Sequence, residues 1–427
     1  AVLAGRWGGV EAGAFTTRAI GQSVPLAAAS NTLSVTLTPD ANITGTAAIS
    51  IVGFVSAIPD GVISLSAVSN AGGVAFSSDG DSAAGNEGLM TSGTLVLHLQ
   101  PSVTLTAGTE YSFTFDITNP AAQGYPGFSI EASGSEVFAS DTMPPPNTNA
   151  FGVPNGGNAL LVVAASFSTA GISHSSSLAR GSNAITLTLQ ADATLPIGSS
   201  ITVTGLTDSQ TLDGSLPVTS DITPLFSSDP EAGTWQQTAG TITLVLVAEL
   251  AAGTPVVVSF WVRNAASSQT AKAISISGTV ECGGSDSTIA SAAMAKTALT
   301  AGGVENNLTP MEVVVPAFGV KDVGQSMPLV SASNTITVTI SGAVDFPALS
   351  TITLSGLAGT QTATAALAVG GAGSSSFGDA GAWTDTGTLV LTVASGGLLA
   401  GTSCTVSFSV QNSATAQGAQ TVAVSAS

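Results

Sequence analysis

The chain has 427 residues, of which 44% are hydrophobic and only 8% charged, and its 7 Lys and Arg against 26 Asp and Glu leave a net charge of -19. No basic run is present to neutralise phosphates, which argues against a nucleic-acid partner, and the apolar content is too high for a disordered acidic tail. Helix-favouring Glu, Lys, Arg and Gln are scarce, while Val, Ile and Thr recur in short alternating runs broken by Gly, Asn, Asp and Pro, so the composition is that of an all-β protein.

The first residues, AVLAGRWGGVEAG, lack the basic start and long apolar middle of a signal peptide, and no Met opens the chain, so it reads as a mature or trimmed piece of something longer. No stretch approaches the roughly 18 apolar residues of a membrane-spanning helix. The first clear strand is SNTLSVTL at 30–37, and it is written again as SNAITLTL at 182–189 and SNTITVTI at 333–340. Matches at fixed offsets from each Ser-Asn pair make this a true repeat. A Phe stands fifteen residues before each Ser (Phe15, Phe167, Phe318), followed by Ile20, Ile172 or Val323 and then by Ser23, Ser175 or Ser326. After each Asn come Gly53-Phe54, Gly205-Leu206 or Gly356-Leu357, then GTLVLHL, GTITLVL or GTLVLTV from Gly93, Gly240 or Gly387. An AGT turn at Ala107, Ala252 or Ala400 leads into a strand ending Phe-x-x-x-Asn, at Phe115–Asn119, Phe260–Asn264 and Phe408–Asn412.

Period-two alternation places Ile336, Val338 and Ile340 on a core face and Thr335, Thr337 and Thr339 on a hydroxylated one. By the same alternation Phe115, Phe260 and Phe408 are structural anchors of their repeats. Trp235 and Trp383, shortly before the Gly-Thr strand, read as core plugs and not sugar platforms, because turn residues there lead into a buried strand; copy one carries Leu89 at the aligned place. The short strands and turn signals predict a tandem array of three antiparallel, Ig-like β-sandwich domains with Greek-key connections: 1–142, then a linker plus the second sandwich over 143–297, then 298–427. The stretch DTMPPPNTNAFGVPNGGN, 141–158, is expected to be a polyproline-like or turn linker that cannot extend a sheet. The join STIASAAMAKTALTAGGVENNLTP reads as a strand or extended linker, with a short helix as the alternative.

Sites of chemistry are few. His98 and His174 fall where the other copies carry Val245 and Thr392, or Gln22 and Gln325, so neither position is selective for imidazole and no Ser-His-Asp arrangement is indicated. No catalytic residue, cofactor site or nucleotide motif is expected. In the acidic loop SSDGDSAAGNEG, Asp79, Asp81, Asn86 and Glu87 can offer oxygen ligands to Ca²⁺, but the regular ligand ring is missing; the other reading is a solvated loop tip, and the loops with Asp229 and Glu231 or with Asp379 are poorer. Asn42 and Asn307 open N-glycosylation sequons. Met143-Pro144-Pro145-Pro146 is a further place for glycans on hydroxylated proline. Cys404 alternates with Val406 and Phe408 and reads as a buried free thiol; Cys282, at a strand end, is either free or able to pair with Cys404 or another molecule.

The strings ITLSGLAGTQT and FGDAGAWTDTGTLVLTVASGGLLAGTSCTVSFSVQNSATAQ, within 352–417, resemble the tandem repeat of large secreted or surface proteins of algae and other protists. Some of those proteins build extracellular filaments such as flagellar hairs (mastigonemes). The resemblance covers the whole chain in three copies, with copy one most diverged, since it lacks the GLxxxQT segment carried by Gly205–Thr211 and Gly356–Thr362. It implies an extracellular, glycosylated structural array working by packing against copies of itself. The rival expectation is an adhesin or carbohydrate-binding array using exposed aromatics such as Trp7, Tyr125 or Trp261.

Overall fold

A computed structural model describes residues 12–54, 58–69, 76–81, 86–134, 137–227, 230–299 and 308–427. The architecture is all-β: three antiparallel Ig-like sandwiches in series, with one short 3-10 turn among the described residues, at Ser374–Phe377. No helix among the described residues is long and apolar enough to cross a membrane.

The second repeat shows the plan. One sheet holds Phe167–His174, Ser182–Ala191 and Pro255–Arg263; the other holds Ala232–Gln236, Thr241–Val245, Ser200–Thr204, Ser275–Val280 and Ser287–Ala293. The chain crosses between sheets after Ser182–Ala191 and again after Pro255–Arg263, the interlocked path of Greek-key connections. Gly214–Ser220 belongs to both sheets: Gly214–Pro217 pairs with Ala232–Trp235, and Val218–Ser220 pairs with Val258–Phe260. The first and third repeats keep the central pairings, with Ser30–Pro39 against Tyr111–Thr118 and Ser333–Gly342 against Cys404–Gln411. Each strand that opens with the repeated Phe carries a register shift one residue in.

Alternation dictates the cores. Ile336, Val338 and Ile340 are buried with Val406, Phe408 and Cys404 opposite. Their intervening hydroxyls pair across strands, as in Thr339 to Thr405 at 2.9 Å and Ser200 to Thr279 at 2.8 Å. Phe115, Phe260 and Phe408 are all buried, as are Trp235 and Trp383. Each indole N–H is satisfied by a backbone carbonyl, Thr211 at 2.9 Å and Thr362 at 3.1 Å, which is what allows a Trp to sit in an apolar interior.

The structure corrects the alignment in copy one. Trp235 faces Ile242 and Trp383 faces Leu389, and the residue that faces the equivalent Leu95 is Met90, not Leu89. The hairpin turn shortens by one residue from copy two to copy three and again to copy one, so counting back from the Gly overshoots.

The repeated Gly53, Gly205 and Gly356 are demanded by a close approach. Their φ values are 135°, 91° and 90°, and an added Cβ would lie 2.3, 2.0 and 2.1 Å from the carbonyl oxygens of Gly127, Ala273 and Thr421. This is the point where a strand of the second sheet passes onto its neighbour.

One other expectation changes, and one holds. The strand Phe138–Met143 runs three residues into the Pro-rich segment and pairs with Phe128–Ser133, so 141–143 extends a sheet before Pro144 ends it. In the second join the strand reading holds over the described part, where Ser287–Ala293 and Ala295–Lys296 are strands. Cys404 and Cys282 are both free thiols in different repeats, and burial pushes each thiol up from its ordinary range.

Candidate interaction site: the joints between repeats

The Ser-Asn and Phe-x-x-x-Asn signatures meet at one end of each sandwich. Asn31 accepts hydrogen bonds from the Ser23 and Val24 backbone N–H groups at 3.2 and 3.0 Å, and its Nδ2 donates to Asn119 at 2.8 Å. Asn119 in turn donates to the carbonyls of Val24 and Leu26 at 2.7 and 2.8 Å. Asn183 with Asn264, and Asn334 with Asn412, repeat the arrangement bond for bond. This pair of side chains ties the loop after the first strand to the end of the Phe strand, presenting a groove floored by that loop. The matched offsets signalled the pair in the sequence, but their partners lie 78–95 residues apart and were not legible there.

The segment that follows each of the first two repeats fills this groove. Val162 exchanges backbone hydrogen bonds with Gln123, at 2.8 and 3.0 Å, and Val163 is held between Pro25 and Ala27. In the second joint Val313 exchanges them with Gln269, at 2.8 and 3.0 Å, and Val314 is held between Ser177 and Ala179. The fully buried Leu160 and Met311 occupy the same place, with φ of 57° and 68°. The Pro/Gly segment is therefore docked along most of its length, not an open tether.

The variable polar position also acts here. Gln22 Nε2 donates to the carbonyls of Gly156 and Leu161, both at 2.8 Å, and its Oε1 accepts from Leu160 N–H at 2.9 Å. His174, at the equivalent place, sets Nε2 2.9 Å from the Leu308 carbonyl. The first joint is reinforced by Ser30, which bonds Ser285 through both backbone and hydroxyl, and by Ser287 donating to Ala27 at 2.8 Å. Val24, Leu26, Ala29 and Val153 thereby join the core of the second repeat.

In the second joint, burial pushes the Glu312 carboxyl up, but hydrogen bonds from the Thr309 hydroxyl and N–H, with Lys296 and His174 near, hold it below the ordinary carboxylate range. A depressed folded value means stability that is present above the ordinary Glu value of about 4.3 and lost as pH falls through the folded value. Amide protection factors over 308–314, taken relative to the intrinsic exchange rate at each pH, are expected to fall on acidification, and Glu312→Gln to blunt that response; an acid response of equal size in the variant would place the titrating group elsewhere.

The remaining sequence candidates are dispersed. Asn86 Oδ1 accepts from Phe76 N–H at 3.3 Å, Asp79 accepts from Asp81 N–H at 2.9 Å, and Glu87 accepts from the Ser78 hydroxyl at 3.1 Å. Among the described residues no three His, Cys, Asp or Glu gather as a metal set. Asn42 is exposed, with its Oδ1 accepting from Ala107 N–H at 2.8 Å. Asn307, Trp7 and Asp229 lie outside the described residues. Trp261 is 60% exposed beside Arg180 and Arg263, whereas Tyr125 packs on Phe128 and donates to the Met143 carbonyl.

Fold and joints together define a serial array of Ig-like sandwiches linked by docked segments. No protein-family model matches the chain, and no curated protein matches it. Among solved structures it is similar to one titled BspA_C_WT, at 8% identity over 65% of this chain and 99% of that one, with a TM-score of 0.35. It is also similar to the B domain of a biofilm associated protein, at 8% identity over 65% and 86% of the chains and a TM-score of 0.20. A collagen adhesin from S. aureus is similar at 10% identity over 66% and 92%, with a TM-score of 0.19.

Proposed function

We propose that the chain is a non-enzymatic structural subunit of an extracellular filament or cell-surface assembly, whose activity is to hold β-sandwiches in fixed series. The observation that carries this reading is the joint itself. One pattern of backbone bonds and one buried apolar plug occur twice, converting what composition reads as tethers into ordered connections. A chain of independently tumbling binding modules has no need of this, because tethered modules work through effective concentration. The hydroxyl-lined outer faces suit lateral contact with another sheet or with glycan, since they are cheaper to desolvate than charges, and glycans at Asn42 and Asn307 belong to the same reading. The adhesin alternative calls for aromatics gathered on one rim; Trp261 stands exposed while Tyr125 is half-buried in its own repeat.

Small-angle X-ray scattering of the full chain tests the proposal, with Leu160→Asp and Met311→Asp as variants and mass spectrometry of native protein at the Asn42 and Asn307 peptides. A single narrow distribution of long dimensions is expected for the parent and a broadened one for each variant. A parent that scatters as three freely jointed beads would defeat the structural reading.

A further inference from the structure

The outer face of the second repeat carries a set of side chains that the other two repeats lack. By their offsets from the repeated Phe and Ser-Asn, Trp261 stands where copies one and three have Asp116 and Ser409, and Arg263 where they have Thr118 and Gln411. Arg180 likewise replaces Ala28 and Ser331. The backbone at that turn is shared, with φ of 60, 59 and 54° at Ala28, Arg180 and Ser331. Trp261 pairs in register with Ala184, whereas Asp116 and Ser409 pair with Thr32 and Thr335 and reach their hydroxyls at 2.6 and 3.5 Å. A polar cross-strand pair has become an indole beside a small apolar neighbour, and Trp261 is left 60% exposed. Arg263 and Ser182 form the next register pair on this face, roughly 7 Å along the strand. Gly214–Ser220 pairs with this strand only as far as Phe260, which leaves the flank beyond it open. Trp261, Arg263, Arg180, Ser182 and Thr211 line an open cleft of about 310 Å³ there.

The third repeat separates what Arg263 holds from what it adds. Arg263 donates from Nε to the Arg180 carbonyl at 3.2 Å and from its backbone N–H to the Thr211 hydroxyl at 2.8 Å. Gln411 makes both bonds in the third repeat, to the Ser331 carbonyl at 3.3 Å and the Thr362 hydroxyl at 2.7 Å. A neutral amide therefore meets the structural need, and the guanidinium contributes its charge and its planar terminal donors. Among the described residues the ion pairs are Arg18 with Asp141 and Lys272 with Asp208, so Arg180 and Arg263 have no carboxylate partner there. Two of only 7 cations, in a chain of net charge -19, thus stand beside an exposed indole. We infer that this face binds an acidic sugar, with the sugar ring stacked on Trp261 and its carboxylate or sulfate held by Arg180 and Arg263. An indole covers the C–H face of a pyranose, and the arginine fork fits an oxyanion through paired N–H donors. An Asp or Glu side chain of another protein brings the anion but no ring to cover the indole. The negative net charge opposes diffuse attraction of a polyanion, so binding here depends on the local set of residues. This contact goes beyond the structural reading above and does not depend on it.

The test is isothermal titration calorimetry of the full chain with three probes: tetragalacturonate, a heparin tetrasaccharide and neutral maltotetraose. The variants are Trp261→Ser and Arg263→Gln, which copy what the third repeat carries on the same backbone and should melt like the parent. Arg263→Gln also keeps the bond to residue 180, so it removes charge without removing the structural contact. One acidic tetrasaccharide is expected per chain, with binding roughly tenfold weaker or more in each variant, as for a lost charged hydrogen bond or stacking partner. The tighter of the two acidic probes identifies the anion as carboxylate or sulfate. Acidic-sugar binding of undiminished strength in either variant would overturn the inference, as would equal binding of maltotetraose. No binding of any probe, with self-association in sedimentation velocity that Trp261→Ser abolishes, would overturn it too and give the face to a second copy of the chain. None of these outcomes alters the scattering result that judges the internal joints.

Discussion

Phe408→Ala is expected to lower the stability of the third repeat by about 3–5 kcal/mol, the range for truncating a buried aromatic. Phe408 is 2% exposed on Cys404–Gln411, stands opposite Ile336 in register, and has its ring centroid 6.3 Å from that of Trp383. The surrounding backbone is held by ladder hydrogen bonds on both sheets, so the site cannot collapse to fill the void. The third repeat has its own core, separate from the merged packing at the first joint, and the loss is expected in one calorimetric transition only. An unchanged thermogram would show that the strand's alternation is out of register. Phe260→Ala is expected to act likewise in the second repeat, where Phe260 meets Ile185 and Val218.

The second large effect concerns the asparagine pair and comes with an internal control. Asn183→Ala removes the acceptor for Ser175 and Ser176 N–H, both at 3.0 Å, and the donor to Asn264 at 2.9 Å. Asn264 is fully buried beneath the docked segment, so its freed oxygen has no water to turn to. Orphaned groups of this kind cost about 1–3 kcal/mol each, and a total of about 2–4 kcal/mol is expected. Asn334→Ala deletes the same bonds in the third repeat, where Ser326, Met327 and Gln325 are exposed and water can replace the lost partner. About half the loss is expected there. Equal losses in chemical denaturation would mean that the filled groove adds nothing to the burial of the pair.

Much of the fold was legible in local pattern. The run SNTITVTI declares its two faces because strand side chains alternate, and Gly387 and Trp383 fall at turn and core because chain geometry near a hairpin is local. Legibility failed where counting crossed a turn of variable length, which moved the copy-one core residue from Leu89 to Met90. It failed also at 141–158, where three prolines correctly exclude a continuing strand yet say nothing of whether the segment floats or docks. The site was half legible: the Asn offsets and the exchange among Gln22, His174 and Gln325 were visible as a pattern, without the groove that gives them meaning.

By itself, then, the sequence determined the strand faces, because side chains alternate along a strand, and the three-fold repetition, because the matches recur at fixed offsets; the close approaches that demand Gly53, Gly205 and Gly356 join strands far apart in the chain and came from the fold. Only the tertiary structure decided what the repeats do at their ends. Leu26 and Leu329 occupy the same offset and read alike, yet one is sealed by a segment more than a hundred residues away and the other lies open. Burial at that position is set by what arrives from outside the repeat, and no local periodicity encodes it.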